Sequence, residues 1–171
     1  MAWAHSEDDF KTIQEAYLAG NGLLSKYIGL RGAPADFLTQ LIRSDYVVDS
    51  LYNTIDKNFI KVIEGYAQGI NKFAELNPDQ VLVKKLFPIT PKKMVKYSFL
   101  QLFISSEGDK AIRSIFENNV TNISFLDDNK LGSNLFAFST NITKNGETYL
   151  GINTHQPLDG PTSWYEAHLV S

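Results

Sequence analysis

A chain of 171 residues, 43% hydrophobic and 20% charged, is long enough to bury the core of one ordinary domain. Sixteen basic against nineteen acidic side chains give a net charge of −3 with no basic run, which argues against RNA or DNA as a partner. The lack of cysteine excludes disulfides and thiolate metal sites without fixing a compartment, and no apolar stretch approaches the length of a membrane span.

The N-terminus, Met1-Ala2-Trp3-Ala4-His5, lacks the basic-then-apolar layout of a secretory signal, so an exported protein would carry that signal upstream. Ser6 followed by Glu7, Asp8 and Asp9 reads as a helix N-cap with acidic residues in the first turn. Phe10, Ile13, Tyr17, Leu24 and Ile28 then mark one helical face, which Gly20 and Gly22 weaken in its middle. Arg31-Gly32-Ala33-Pro34 breaks the chain, and a short helix follows with Phe37, Leu38, Leu41 and Ile42 on one side.

The strongest periodicity predicts a helix from about Asp49 to Leu76, with an apolar row at Tyr52, Ile55, Phe59, Val62, Tyr66, Ile70 and Phe73. Gly65 and Gly69 lower its propensity by about 1 kcal/mol each relative to Ala, which suggests close approach of a neighbouring element. Asn77-Pro78-Asp79 stops it. Thr90 as cap and Pro91 at the first helical position open another helix carrying Met94, Val95, Leu100 and Phe103, and a last helical stretch holds Ala111, Ile112, Ile115 and Phe116.

The pattern changes near residue 119. Asn118 to Lys130 reads as a polar spacer, and beyond Gly132 the period becomes two. Asn145-Gly146 signals a type I′ hairpin, Thr148 to Asn153 reads as the returning strand, and Trp164 to Val170 as a third. The expected class is α+β, divided into a helical region over 1–118, a linker over 119–132 and a sheet region over 133–171.

Chemical signals are sparse. His5, His155 and His168 show no metal-ligand spacing, so neither a metal nor another cofactor is expected. The sequons at Asn119, Asn122 and Asn141 are of a kind that arises often by chance. Leu131-Gly132-Ser133-Asn134, at the spacer's end and directly before a strand, is turn chemistry on composition alone. Taken so, the chain is a non-catalytic helical interaction module with a structural Gly132-Ser133-Asn134 turn.

Gly132-Ser133-Asn134-Leu135-Phe136-Ala137-Phe138-Ser139, then Gly146, Tyr149 to His155, and Trp164 to Leu169 together resemble the processing site and first strands of the penicillin amidase family. That family includes penicillin, cephalosporin and acyl-homoserine-lactone acylases. Ala2-Trp3-Ala4-His5-Ser6-Glu7-Asp8-Asp9 resembles the family's Tyr-x-His-Ala-Glu-Asp helix opening, and Glu64 to Asn71 its Gly-Tyr-Ala-x-Gly-hydrophobic-Asn segment. Three separated motifs in the right order are more specific than any one of them. The Glu7-Asp8-Asp9-Phe10 to Gln14-Glu15 stretch leans toward the acyl-homoserine-lactone and aculeacin acylase branch.

The resemblance implies an N-terminal nucleophile hydrolase in which scission of the Gly132–Ser133 bond frees Ser133 as both nucleophile and α-amine base. Gly132, without a Cβ, suits the contorted backbone of an N-to-O acyl shift. By the same resemblance His155 orients or relays protons for Ser133, while His5 and His168 read as structural. It further implies an N-acyl amide substrate, the remainder of the processed chain as partner, a periplasmic or secreted location, and a fold whose first antiparallel strands start a larger sandwich. Family members are much longer, with oxyanion donors expected past Ser171. This stretch alone is thus expected to be inactive and, with strand edges uncovered, to self-associate.

Overall fold

The computed structural model describes residues 1–106, 108–117, 133–155 and 163–168. They form two compact units. One comprises the described residues of Met1–Ile123 and Tyr165–Ser171, the other those of Ser124–Trp164. The spacer and Gly132 lie outside the described residues.

In the first unit, helix α1 (Ala2–Gly20) starts earlier than the Ser6 cap predicts. Ser6 is buried inside it and its Oγ donates to the Ala2 carbonyl at 2.9 Å. The capping chemistry falls three residues later. Asp9 leaves helical geometry at φ −152°, ψ 62°, and its Oδ1 accepts the Thr12 N–H at 3.1 Å, restarting the helix across a kink. Phe10, Ile13 and Tyr17 are buried as expected, but α1 ends at Gly20, so Leu24 is the N-cap of a separate short helix, α2 (Ser25–Ile28), and Ile28 its last residue.

Helix α3 (Ala33–Leu41) turns the other way from its predicted face: Asp36 and Thr39 are buried, while Phe37 and Leu41 are exposed. The reason is polar. Asp36 accepts the N–H groups of Leu24 (2.7 Å) and Ser25 (2.9 Å) at the start of α2, and Thr39 Oγ1 donates to the carbonyls of Ala19 and Ala35, each at 3.0 Å. These bonds fix the rotation of a helix too short for its apolar residues to decide it.

The predicted long helix is two. Helix α4 (Ser44–Leu51) gives way to a 3-10 turn over Tyr52–Thr54, and α5 (Lys57–Leu76) starts afresh because Asp56 accepts the N–H groups of Asn58 (2.9 Å) and Phe59 (3.0 Å). Its buried face is Ile63, Ala67, Ile70, Phe73 and Ala74, with Phe59 and Val62 left exposed. Gly69 meets α1 closely: a Cβ there would lie 2.8 Å from the Ala2 Cβ, whereas at Gly65 nothing stands within 4 Å. Close approach accounts for one glycine of the pair only.

The 78–90 segment crosses the core as two single-turn 3-10 helices, Pro78–Gln80 and Lys84–Leu86, with a cis Phe87–Pro88 peptide. It buries Leu86 and Ile89 against Phe10, Leu18, Ile70 and Phe73. Thr90 and Pro91 open α6 (Pro91–Ser105) as predicted, with Thr90 Oγ1 accepting the Lys93 N–H at 3.3 Å, and α7 (Gly108–Phe116) follows. Gly20 allows α1 to cross α6, since a Cβ at that position would stand 2.4 Å from the Tyr97 Cα.

The second unit is an antiparallel hairpin of β1 (Ser133–Phe138) and β2 (Tyr149–Thr154), in register from Ser133 opposite Thr154 to Phe138 opposite Tyr149. The connection is longer than a type I′ turn. Asn145 keeps a negative φ, Gly146 has φ 69°, and the Gly146 N–H donates to the Thr143 carbonyl at 3.3 Å. Asn-Gly here closes a turn within a loop and does not join the strands directly. The predicted third strand does not form over residues 163–168, and residues 169 and 170 lie outside the described set. The whole is α+β, mostly helical with one small sheet.

Candidate active site

The hairpin brings the two predicted catalytic residues to one end. Ser133 is the first residue of β1, cross-strand from Thr154, and His155 directly follows β2. Alternation of the pleat separates the side chains by face. Ser133, Leu135 and Ala137 share a face with Leu150, Ile152 and Thr154, and Asn134, Phe136 and Phe138 share the other with Tyr149, Gly151 and Asn153. One face is aliphatic and the other aromatic, and both are exposed.

His155 lies against Asn134, whose Nδ2 is 3.1 Å from the His155 Nε2. Asn134 is opposite Asn153, so His155 occupies the diagonal position on the aromatic face, within reach of a medium-length side chain. Among the described residues no hydrogen bond joins Ser133 to His155. Sequence alone singles out Ser133 and His155 but not Asn134, whose one mark is its place next to Ser133 inside the motif. The Gly132 half of the bond lies outside the described residues.

In the helical unit the two upstream motifs converge. His5 of α1 is hydrogen-bonded through Nδ1 to the Tyr66 hydroxyl of α5, and its ring stacks on Tyr165 with centroids 4.0 Å apart and planes 17° apart. The Tyr165 hydroxyl donates to Asp8 Oδ2 at 2.7 Å. Thus Tyr165 meets the first helix through both its ring and its hydroxyl. Burial pushes the His5 pKa below its usual value, opposed by the nearby Asp9 and Asp8 carboxylates. Tyr66 is raised, chiefly by burial and then by Tyr165.

Asn71, the last residue of the second motif, pairs with both backbone groups of Ile89: Nδ2 donates to its carbonyl at 2.8 Å and Oδ1 accepts its N–H at 2.7 Å. Lys93 donates from Nζ to the carbonyls of Leu86 (2.5 Å) and Pro88 (2.9 Å), and burial lowers its pKa, assisted by Lys96. An open cavity of about 370 Å³ beside this segment is lined mainly by apolar groups, among them Ala74, Val81, Phe87 and Pro88, with Glu75 and Lys84 also contributing. Among the described residues no three His, Asp or Glu side chains are arranged to hold a metal ion, and no helix is long and apolar enough to cross a membrane.

The arrangement therefore has an exposed serine at a strand start and a histidine at the same sheet end, while in the helical unit His5 and Tyr66 bond each other and Asn71 holds the Ile89 backbone. Comparison with curated proteins finds no match. The family model described as penicillin amidase matches residues 1–171, the full length, and takes in the serine, the histidine and both helical motifs. On that match the chain belongs to the penicillin amidase family.

Proposed function

We propose that this protein hydrolyses N-acyl amides through an ester on Ser133, formed after scission of the Gly132–Ser133 peptide bond. Family membership itself carries the coarser statement, a hydrolase acting on amides. Supporting the finer reading is the hairpin, which opens on Ser133 and has His155 at the same end of the sheet.

In the proposed reaction the freed α-amine of Ser133 takes the hydroxyl proton, through a water, as Oγ attacks the amide carbon. The amine leaving group departs protonated, and water then hydrolyses the acyl ester. An α-amine titrates near ~7.7–8 against ~10.4 for a lysine, so a slight depression leaves it mostly neutral at physiological pH. Burial supplies that depression. Ser133 and both faces of its hairpin are exposed here, which leaves the amine in water and an oxyanion undefended. The uncovered 171-residue chain is accordingly expected to release no amine in a sensitive amidase assay, and measurable turnover would refute this.

The acidic stretch of α1 supports the acyl-homoserine-lactone and aculeacin acylase branch, with an exported, two-chain protein as its working form and the rest of the processed chain as its partner. Intact mass of the full-length protein tests the core of the proposal. Two chains are expected, the second beginning at Ser133, and the Ser133→Ala variant should remain a single chain without hydrolysis. An uncut protein that hydrolyses amides, or retained activity in Ser133→Ala, points to another nucleophile.

A further inference from the structure

We infer that the start of α4 is a binding site for a phosphate group, free or carried on a small monoester, held by Arg43, the Ser44 hydroxyl and the first backbone N–H groups of the helix. This site belongs to the helical unit alone and is independent of the nucleophile reading of Ser133.

The key residue is Ser44. It is 1% exposed, and among the described residues its Oγ is the one buried side-chain polar atom without a hydrogen-bond partner. Ser6 and Thr39, the other buried serine and threonine, each donate to a carbonyl. Buried hydroxyls in folded proteins are rarely left so, and a bound group is one physical reason for an exception. Ser44 lines a cavity of about 410 Å³, together with residues that include Asn21, Gln40, Arg43, Asp45 and Tyr46. The hydroxyl is covered in its present rotamer; a change of χ1 toward an acceptor in that cavity supplies the missing bond.

The surrounding groups set the charge of the ligand. Arg43 takes the N-cap position of α4 at φ 54°, and its side chain has no acceptor to offer. The bond that Ser, Thr, Asp or Asn would make there is missing. Among the described residues the N–H groups of Ser44, Asp45 and Tyr46 accordingly have no acceptor, and the positive end of the helix dipole adds to their attraction for an anion. The Arg43 guanidinium lies over the Tyr46 ring, 4.3 Å from its centroid, and no described carboxylate pairs with it. Asp45 also lines the cavity and opposes an anion, but it is paired with Lys96, so the balance at the site is positive. Backbone N–H groups, a hydroxyl and a guanidinium together offer more donors than the about four lone-pair directions of a carboxylate can use, and a phosphate has more oxygens to meet them. The cavity is also larger than a phosphate ion, which leaves space for the substituent of a monoester.

The test is a titration of the ¹⁵N-labelled 171-residue chain with inorganic phosphate, at an ionic strength held constant with chloride and followed by backbone amide shifts. The Ser44, Asp45 and Tyr46 signals should move together and saturate, with a Kd on the order of 1 mM or below. Glycerol 2-phosphate should move the same signals, and the tighter of the two identifies whether the free ion or the ester fits better. Acetate should bind about 10-fold more weakly or worse. Two variants separate binding from folding. Arg43→Gly keeps the positive φ at no steric cost and should weaken phosphate binding by about 10-fold or more. Ser44→Ala loses no bond within the protein, so its melting temperature in chloride should equal or exceed that of wild type. The rise in melting temperature that phosphate gives wild type should shrink in this variant. Shifts that grow without saturating, acetate binding as tightly as phosphate, or an affinity unchanged in Arg43→Gly overturns the inference. So does a Ser44→Ala protein destabilised in chloride with its phosphate response intact.

Discussion

Gln14 illustrates how much of this fold rests on single polar side chains. It is wholly buried on α1, where its Nε2 donates to the carbonyls of Phe10 (3.2 Å) and Gln80 (3.0 Å) and its Oε1 accepts the Leu82 N–H at 2.9 Å. Replacement by Leu leaves the last two backbone groups without a partner, so Gln14→Leu should cost about 1–3 kcal/mol in a urea titration, mostly as a lower midpoint. Nothing in the local sequence marks this residue, because its partners lie 66 and 68 positions away. His5 differs in that its sequence neighbourhood does mark it. It lies in the first motif, and it contacts Tyr66 and Tyr165. Since burial lowers its pKa, the unfolded chain binds the proton more readily than the folded one. The contribution of neutral His5 is therefore whole above its unfolded value of 6.5 and declines as pH falls through the lower folded value. The Asp8 and Asp9 carboxylates facing it, and the half-exposed position, keep the effect small. Melting curves at pH 7.5 and 5.5 should show wild type losing about 1–2 °C more than His5→Gln, and equal losses would remove His5 as the titrating group.

At the scale of elements, helix existence was readable and helix rotation was not. Periodicity placed α5 correctly through Ile70 and Phe73 but overran its start, since Tyr52 and Ile55 happen to continue the spacing across a break that Asp56 makes by capping. The same limit shows in α3, where the buried side is set by Asp36 and Thr39 bonding to other elements, information that no one-dimensional apolar pattern holds. The glycines of α5 turn this into a test. Gly65 faces open space within a helix interior, so Gly65→Ala should stabilise by about 0.5–1 kcal/mol through propensity alone. Gly69→Ala gains the same propensity but drives a Cβ to 2.8 Å from that of Ala2, and because α1 must shift to admit it, the net effect should be a loss. Opposite signs from two identical substitutions one turn apart, read in a single denaturation series, would establish the α1–α5 crossing; matching signs would not be compatible with it.

For the whole molecule, the change of periodicity near residue 119 correctly announced helices first and sheet last, and the class α+β was legible for that reason. What the alternation concealed is that neither face of the hairpin is polar. Leu135, Leu150 and Ile152 are 61%, 62% and 63% exposed on one side, and Phe136, Phe138 and Tyr149 between 47% and 60% on the other. A sheet apolar on both sides matches an environment that covers it twice, the pattern of interior strands and not of a surface hairpin. Among the described residues each strand has a single neighbour, so two edges also carry unpaired backbone groups. Left uncovered, such a hairpin lowers its free energy by meeting a second copy, either edge to edge or face to face. The 171-residue chain should accordingly show a weight-average mass that climbs with concentration in light scattering. Leu135→Lys with Ile152→Lys, a pair facing each other across the two strands, should abolish the rise without disturbing the helical unit's circular dichroism. If wild type stays monomeric at every concentration, the apolar faces are not sticky in isolation. If the rise survives the lysines, the contact lies elsewhere, either on the aromatic side with Phe136 and Phe138 or at the strand edges, and Phe136→Lys separates those two.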